Sequence, residues 1–158
     1  METLIPYKQE IKNKFIHTLD LCFDNIKHKR HIHDNKLISI FINGLNGIGK
    51  TRFVETTLQE HNIEIIHIES FNLKKKYIDS QLLSSSISNK NVYAMLHKKT
   101  ENRKVVVIDN VENIYATMKT LLTHIIHLIR PKRIKSNKKE CTVNIPVILI
   151  GNIKNLKS

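Results

Sequence analysis

Eight consecutive residues, Gly44, Leu45, Asn46, Gly47, Ile48, Gly49, Lys50 and Thr51, bring three glycines, a lysine and a hydroxyl into one short stretch. Their spacing is the Walker A pattern G-x-x-x-x-G-K-[ST]. Glycines in such a run let the backbone curl until successive N–H groups point at one anion. A helix beginning at the lysine adds the positive end of its dipole at the same point. Lys50 would neutralise the β- and γ-phosphates of a nucleoside triphosphate, and Thr51 would offer its hydroxyl to magnesium. The chain has 4 glycines in all, and three of them lie in this octamer. Glycine costs ~0.5–1 kcal/mol in regular structure, so its concentration here argues against a chance turn.

Two other segments end an apolar run on a polar side chain. Residues 104–109 read Lys-Val-Val-Val-Ile-Asp, followed by Asn110, Val111 and Glu112. A carboxylate at such a strand tip reaches the magnesium held by a phosphate-loop hydroxyl, which casts Asp109 as the second metal ligand beside Thr51. The plainer alternative is an aspartate that caps a helix. Residues 146–152 read Pro-Val-Ile-Leu-Ile-Gly-Asn. An asparagine at that sheet edge, Asn152, can hydrogen-bond the γ-phosphate or the attacking water; an ordinary Gly-Asn turn is the alternative.

The elements that must position these groups are legible from periodicity. Residues 8–29 predict a helix, with Ile11, Phe15, Leu19, Cys22 and Ile26 at spacings of three and four. Residues 37–43 predict a buried strand, 50–61 a helix, 64–68 a strand and 104–109 a strand. Residues 74–83 and 91–99 read as helices around a Ser-rich loop at 84–89. A helix is expected over 115–129, with Met118, Leu121, Leu122, Ile125, Ile126 and Ile129 on one face. A basic loop over 131–144 precedes a last strand at 146–150. Strands that alternate with helices and read as unbroken apolar runs call for a parallel sheet covered on both faces.

With 158 residues, 41% hydrophobic and 25% charged, the chain suits one globular domain. The division expected is an N-terminal helix and connection over 1–36 and a core over 37–158. The formal net charge of +12 favours anionic partners, DNA among them, though a coding bias towards lysine explains it as simply. Basic patches at 74–76, 98–104 and 130–139 could contact a phosphate backbone, and few aromatics interleave them. Two cysteines, Cys22 and Cys141, make no disulfide framework and fit a reducing, intracellular setting. The apolar runs fall far short of the ~20 residues that span a bilayer, and the first residues are not a signal peptide, so no membrane partner is expected. Histidines 28, 31 and 33, or 124 and 127, share no ligand-like spacing with cysteines or carboxylates.

The order phosphate loop, apolar strand with acid, apolar strand with Gly-Asn resembles the AAA+ ATPases, and within them the clamp-loader group. GLNGIGKT resembles the clamp-loader GPPGIGKT, VVVIDNVEN resembles the hhhhDEVD box, and PVILIGN resembles the sensor-1 strand. Residues 68–72 (IESFN) are loosely similar to the E-x-N segment of replication factor C large subunits. The resemblance spans about residues 37–152. It implies a three-layer α/β/α P-loop NTPase with a central parallel sheet, ATP and Mg2+ as cofactors, oligomeric partner subunits and a role in DNA replication or repair. It also shows departures. Asn110 replaces the family's catalytic glutamate and cannot act as a base; Glu112, two residues on, is the outside candidate for water activation. The last core strand, the arginine finger and the helical lid have no counterpart before residue 158. Arginine fingers are worth about 10³–10⁵ in rate, so slow hydrolysis by this chain alone is expected. Two alternatives stand beside this reading: a P-loop kinase of a nucleotide or small metabolite, and a non-catalytic module that binds DNA or a partner around a vestigial site.

Overall fold

The computed structural model describes residues 6–30, 36–68, 79, 103–129, 143 and 145–152. Helix α1 spans Pro6–Lys27 and strand β1 Ser39–Asn43; α2 (Lys50–Glu60), β2 (Glu64–Ile68) and β3 (Lys104–Ile108) follow. Then come α3 (Val111–Thr117), α4 (Lys119–Ile129) and β4 (Val147–Gly151). Apart from Asp79, which is helical, the expected helix at 74–83, the helix at 91–99, the IESFN segment past Ile68, Cys141 and most of the basic loop lie outside the described residues.

The four strands form one parallel sheet in the order β1-β4-β3-β2. Strand alternation explains why the sequence of β3 is unbroken Val and Ile. Val105 and Val107 point into one core with Ile148 and Ile150, while Val106 and Ile108 point into the other with Val147. The first core is closed by Phe15 and Leu19 of α1 and by Val54 and Leu58 of α2. The second is closed by Val111 and Ile114 of α3 and by Leu121, Leu122, Ile125 and Ile129 of α4. A strand residue can face either way and still leave water, so no polar position is needed. Each such side chain contributes about 1.5–3 kcal/mol on burial. The result is the three-layer α/β/α core expected from the alternation of elements.

Two local expectations change. The helix read over 115–129 begins at Val111 and is broken at Met118, whose φ of −142° and ψ of 59° are not helical. Its N–H still donates to the Ile114 carbonyl at 2.8 Å, and its own carbonyl accepts Leu121 N–H at 2.9 Å. Met118 thus ends α3 and starts α4 without losing its backbone partners. Met118 at the break and Ile126 are exposed rather than on the apolar face. On α1, Phe15, Leu19 and Cys22 are buried as the stripe requires, but Ile11 stands one turn beyond the core edge and is exposed.

Polar contacts add to the seating of α1 on the sheet. Lys12 pairs with Glu60 of α2. Arg103, just before β3, bonds Asp20 at 2.7 Å and lays its guanidinium 4.8 Å from the Phe23 ring centre. Burial raises the Cys22 thiol to about 11.

Candidate functional site

The site grows from the carboxyl ends of three neighbouring strands, where parallel α/β sheets place their ligands. The order β1-β4-β3 sets the tips of residues 43, 151 and 108 side by side. The ladder carries Asn43 opposite Gly151 and Ile108 opposite Leu149, so Asp109 emerges just past the last β3 pair. The Gly44 N–H donates to the Gly151 carbonyl at 3.3 Å, which extends the ladder into the glycine loop itself.

The loop bends as the glycines allow. Gly47 has φ +79° and Gly49 φ +86°, and an added Cβ at either would meet nothing within 4 Å. Their need for glycine is therefore conformational, not steric. Gly44 is different: a Cβ there would lie 2.6 Å from Ile48 Cδ1 and 3.3 Å from Lys50 Cδ. The loop closes back over its own first residue. Leu45 and Ile48 carry their side chains outward, 59% and 63% exposed. Gly49 stands before α2 in the left-handed region, and its carbonyl accepts Phe53 N–H at 2.9 Å. Glycine supplies no capping oxygen, and the first turn of α2 carries no acid. Its orphan N–H groups and dipole are thus open to an outside anion.

The reactive side chains meet at this point. Lys50 donates from Nζ to the carbonyls of Gly44 and Leu45, both at 2.9 Å. Thr51 Oγ1 donates to Asp109 Oδ2 at 2.5 Å, joining residues 58 positions apart. The other Asp109 oxygen accepts Asn110 N–H at 2.7 Å. Asn110 is held at φ 54°, ψ 48°, a conformation asparagine tolerates better than most residues, and its carbonyl receives Asn113 N–H at 2.9 Å. Glu112 follows in the first turn of α3, and its Oε2 accepts the Asn152 backbone N–H at 3.2 Å. Asn152 is buried at the end of β4, which is a central strand of the described sheet and not an edge strand.

The residues present fit a magnesium-bound polyphosphate. A hydroxyl and a carboxylate converge on one point, and hard oxygen donors of that kind suit Mg2+. An ammonium and an uncapped helix start stand beside them. Among the described residues no group of three or more His, Cys, Asp or Glu side chains could hold a metal ion. His124 sits 2.6 Å from Asp79, and His28 3.2 Å from Asp24. Of the basic patches, the described Arg103 and Lys104 pair with Asp20 and Glu64.

Thus Lys50, Thr51 and Asp109 come together with the glycine loop, and Glu112 and Asn152 join each other one strand away. Sequence reasoning passed over Gly151. A Cβ there would stand 2.8 Å from Glu112 Oε2. The signal was available, because Gly151 is the chain's remaining glycine, so all 4 line this site.

Phosphate loops of this spacing, placed after the first strand of a doubly covered parallel sheet, define the P-loop NTPases, and this fold is one of them. Within that class the chain belongs to the AAA family: the model for "ATPase family associated with various cellular activities" matches residues 40–156. It is 30% identical over 135 residues to a protein of Acanthamoeba polyphaga mimivirus named "Putative replication factor C large subunit". That match covers 76% of this chain and 24% of the relative. No helix among the described residues is long and apolar enough to cross a membrane.

Proposed function

We propose that this chain is the ATP- and Mg2+-binding core of a clamp-loader-type ATPase acting in DNA replication, and that alone it hydrolyses ATP slowly. The observation that carries the reading is the meeting of Thr51 and Asp109 at 2.5 Å beside Lys50. The backbone of Gly44, Gly47 and Gly49 and the start of α2 would cradle the phosphates, with Lys50 leaving its two loop carbonyls for the ligand's anionic oxygens. Thr51 and Asp109 would hold the metal, and Asn152 would bond the γ-phosphate or the water facing it. Bound magnesium supplies charge neutralisation on the transferring phosphoryl group. Asn110 stands next to Asp109 where a base would serve, and an amide takes no proton at neutral pH.

The mimivirus relative supports a replication role, partner subunits and an intracellular setting. The net charge of +12 supports a DNA contact.

Calorimetric titration with ATP tests the reading. Wild type should bind in a magnesium-dependent manner, and Lys50→Ala should weaken binding about tenfold or more, the loss of contacts worth ~1.5–3 kcal/mol. Equal affinity in the two proteins would remove the basis for an ATP site here.

A further inference from the structure

Glu112 holds a position that ATP binding alone does not explain. Its Oε2 accepts the Asn152 N–H at 3.2 Å. The same oxygen lies 2.8 Å from where a Gly151 Cβ would stand, with Val111 Cβ at 3.3 Å and Phe41 Cε2 at 3.6 Å around that point. The carboxylate therefore lies against the β4 tip, in a slot that exists because residue 151 has no side chain. On its other side, the Gly151 carbonyl receives Gly44 N–H at 3.3 Å. One acidic side chain thus links the start of α3, the tip of β4 and, through Gly151, the first residue of the glycine loop.

We propose that Glu112 is a positioning residue, a strut that fixes where Asn152 stands relative to Asp109 and the loop, rather than a proton acceptor for water. A general base needs its oxygen aimed at the reacting water. Here Oε2, one of the two carboxylate oxygens, is engaged by the Asn152 backbone amide, and that contact holds the side chain against the β4 tip. The first turn of α3 places it there: Val111 is buried against the sheet, and Glu112 is the next residue on the turn. The role assigned to Asn152 rests on the ATP reading above; the strut itself does not.

The two roles separate by substitution. Glu112→Gln keeps an oxygen that can accept the Asn152 N–H but loses the basicity, whereas Glu112→Ala loses both. Gly151→Ala pushes the carboxylate away from the opposite side. Amide hydrogen exchange at Asn152, followed by NMR without nucleotide, should quicken about tenfold in Glu112→Ala and in Gly151→Ala, and much less in Glu112→Gln. Exchange in the double variant Glu112→Ala/Gly151→Ala should resemble that in Glu112→Ala alone, because the two changes remove one contact. With Mg2+ present, the preference for ATP over ADP should fall about tenfold in Glu112→Ala and recover in Glu112→Gln, with turnover following the same order.

Turnover lost equally in Gln and Ala variants, with Asn152 exchange unmoved, would overturn the proposal in favour of a base. Exchange that follows Glu112 in a protein that binds no ATP would sink the nucleotide reading and support the strut. Should Glu112→Ala not fold, Glu112→Gln and Gly151→Ala still decide the matter, because the strut requires them to diverge.

Discussion

Thr51→Val keeps the shape of the side chain and deletes one hydroxyl. That hydroxyl makes the 2.5 Å bond to Asp109 Oδ2, tying the start of α2 to the tip of β3. Hydrogen bonds to a charged group contribute about 1.5–3 kcal/mol. Both partners are half-buried, and Asp109 keeps the Asn110 N–H on its other oxygen, so no charge is left unpartnered. The expected loss is therefore at the low end, about 1–2 kcal/mol, or roughly 2–8 °C in Tm at ~2–4 °C per kcal/mol for a domain of this size. Urea unfolding of wild type, Thr51→Val, Asp109→Asn and the double variant, without nucleotide or magnesium, isolates the pair. A coupling energy of about 1–2 kcal/mol is expected. If the four stabilities add to within about 0.3 kcal/mol, the two groups do not meet, and the metal pair built on that meeting goes with them.

Gly49→Ala should cost roughly 1–2 kcal/mol by thermal melting, because φ is +86° while the new methyl has free space; a neutral result would show that the loop is not left-handed there. Leu19→Ala empties a fully buried position between α1 and the sheet and should cost about 2–5 kcal/mol in urea titration, whereas a loss under ~1 kcal/mol would mean α1 is not docked. Cys22, with its thiol raised to about 11, should resist iodoacetamide in the folded protein at pH 8 and react quickly in denaturant, as read by mass spectrometry of its peptide. The sign of the linkage follows: the unfolded thiol ionises near its ordinary value of 9.0 and the folded one near 11, so this group destabilises the fold as pH rises above about 9. A stability unchanged between pH 8 and pH 10.5 in wild type relative to Cys22→Ala would contradict that shift.

Much of the site was legible because its requirements are local. The loop spacing of residues 44–51 declares a strand, a bend and a helix start within one stretch, and Gly47 and Gly49 do adopt left-handed φ. Unbroken Val and Ile in β3 announced cover on both faces, since only a strand buried on each side can omit polar residues. The periodic stripe of α1 named Phe15, Leu19 and Cys22 as buried.

Other features depended on which segments became neighbours. The order β1-β4-β3-β2 inserts the last described strand between the first and third, and that insertion sets Gly151 against both Gly44 and Glu112. No spacing in the chain states that Glu112 will turn to the Asn152 amide. Nor does it show Met118 breaking one apolar stripe into two helices, because the apolar residues continue through the break. Propensity and periodicity act over a few residues along the chain, so the sequence by itself determined most of the elements and the glycine loop, and named Lys50 and Thr51 as the groups proposed to meet a phosphate there. The meeting of Thr51 with Asp109 and of Glu112 with Asn152 came from contacts 58 and 40 residues apart, which exist only once strand pairing and helix packing have closed the core.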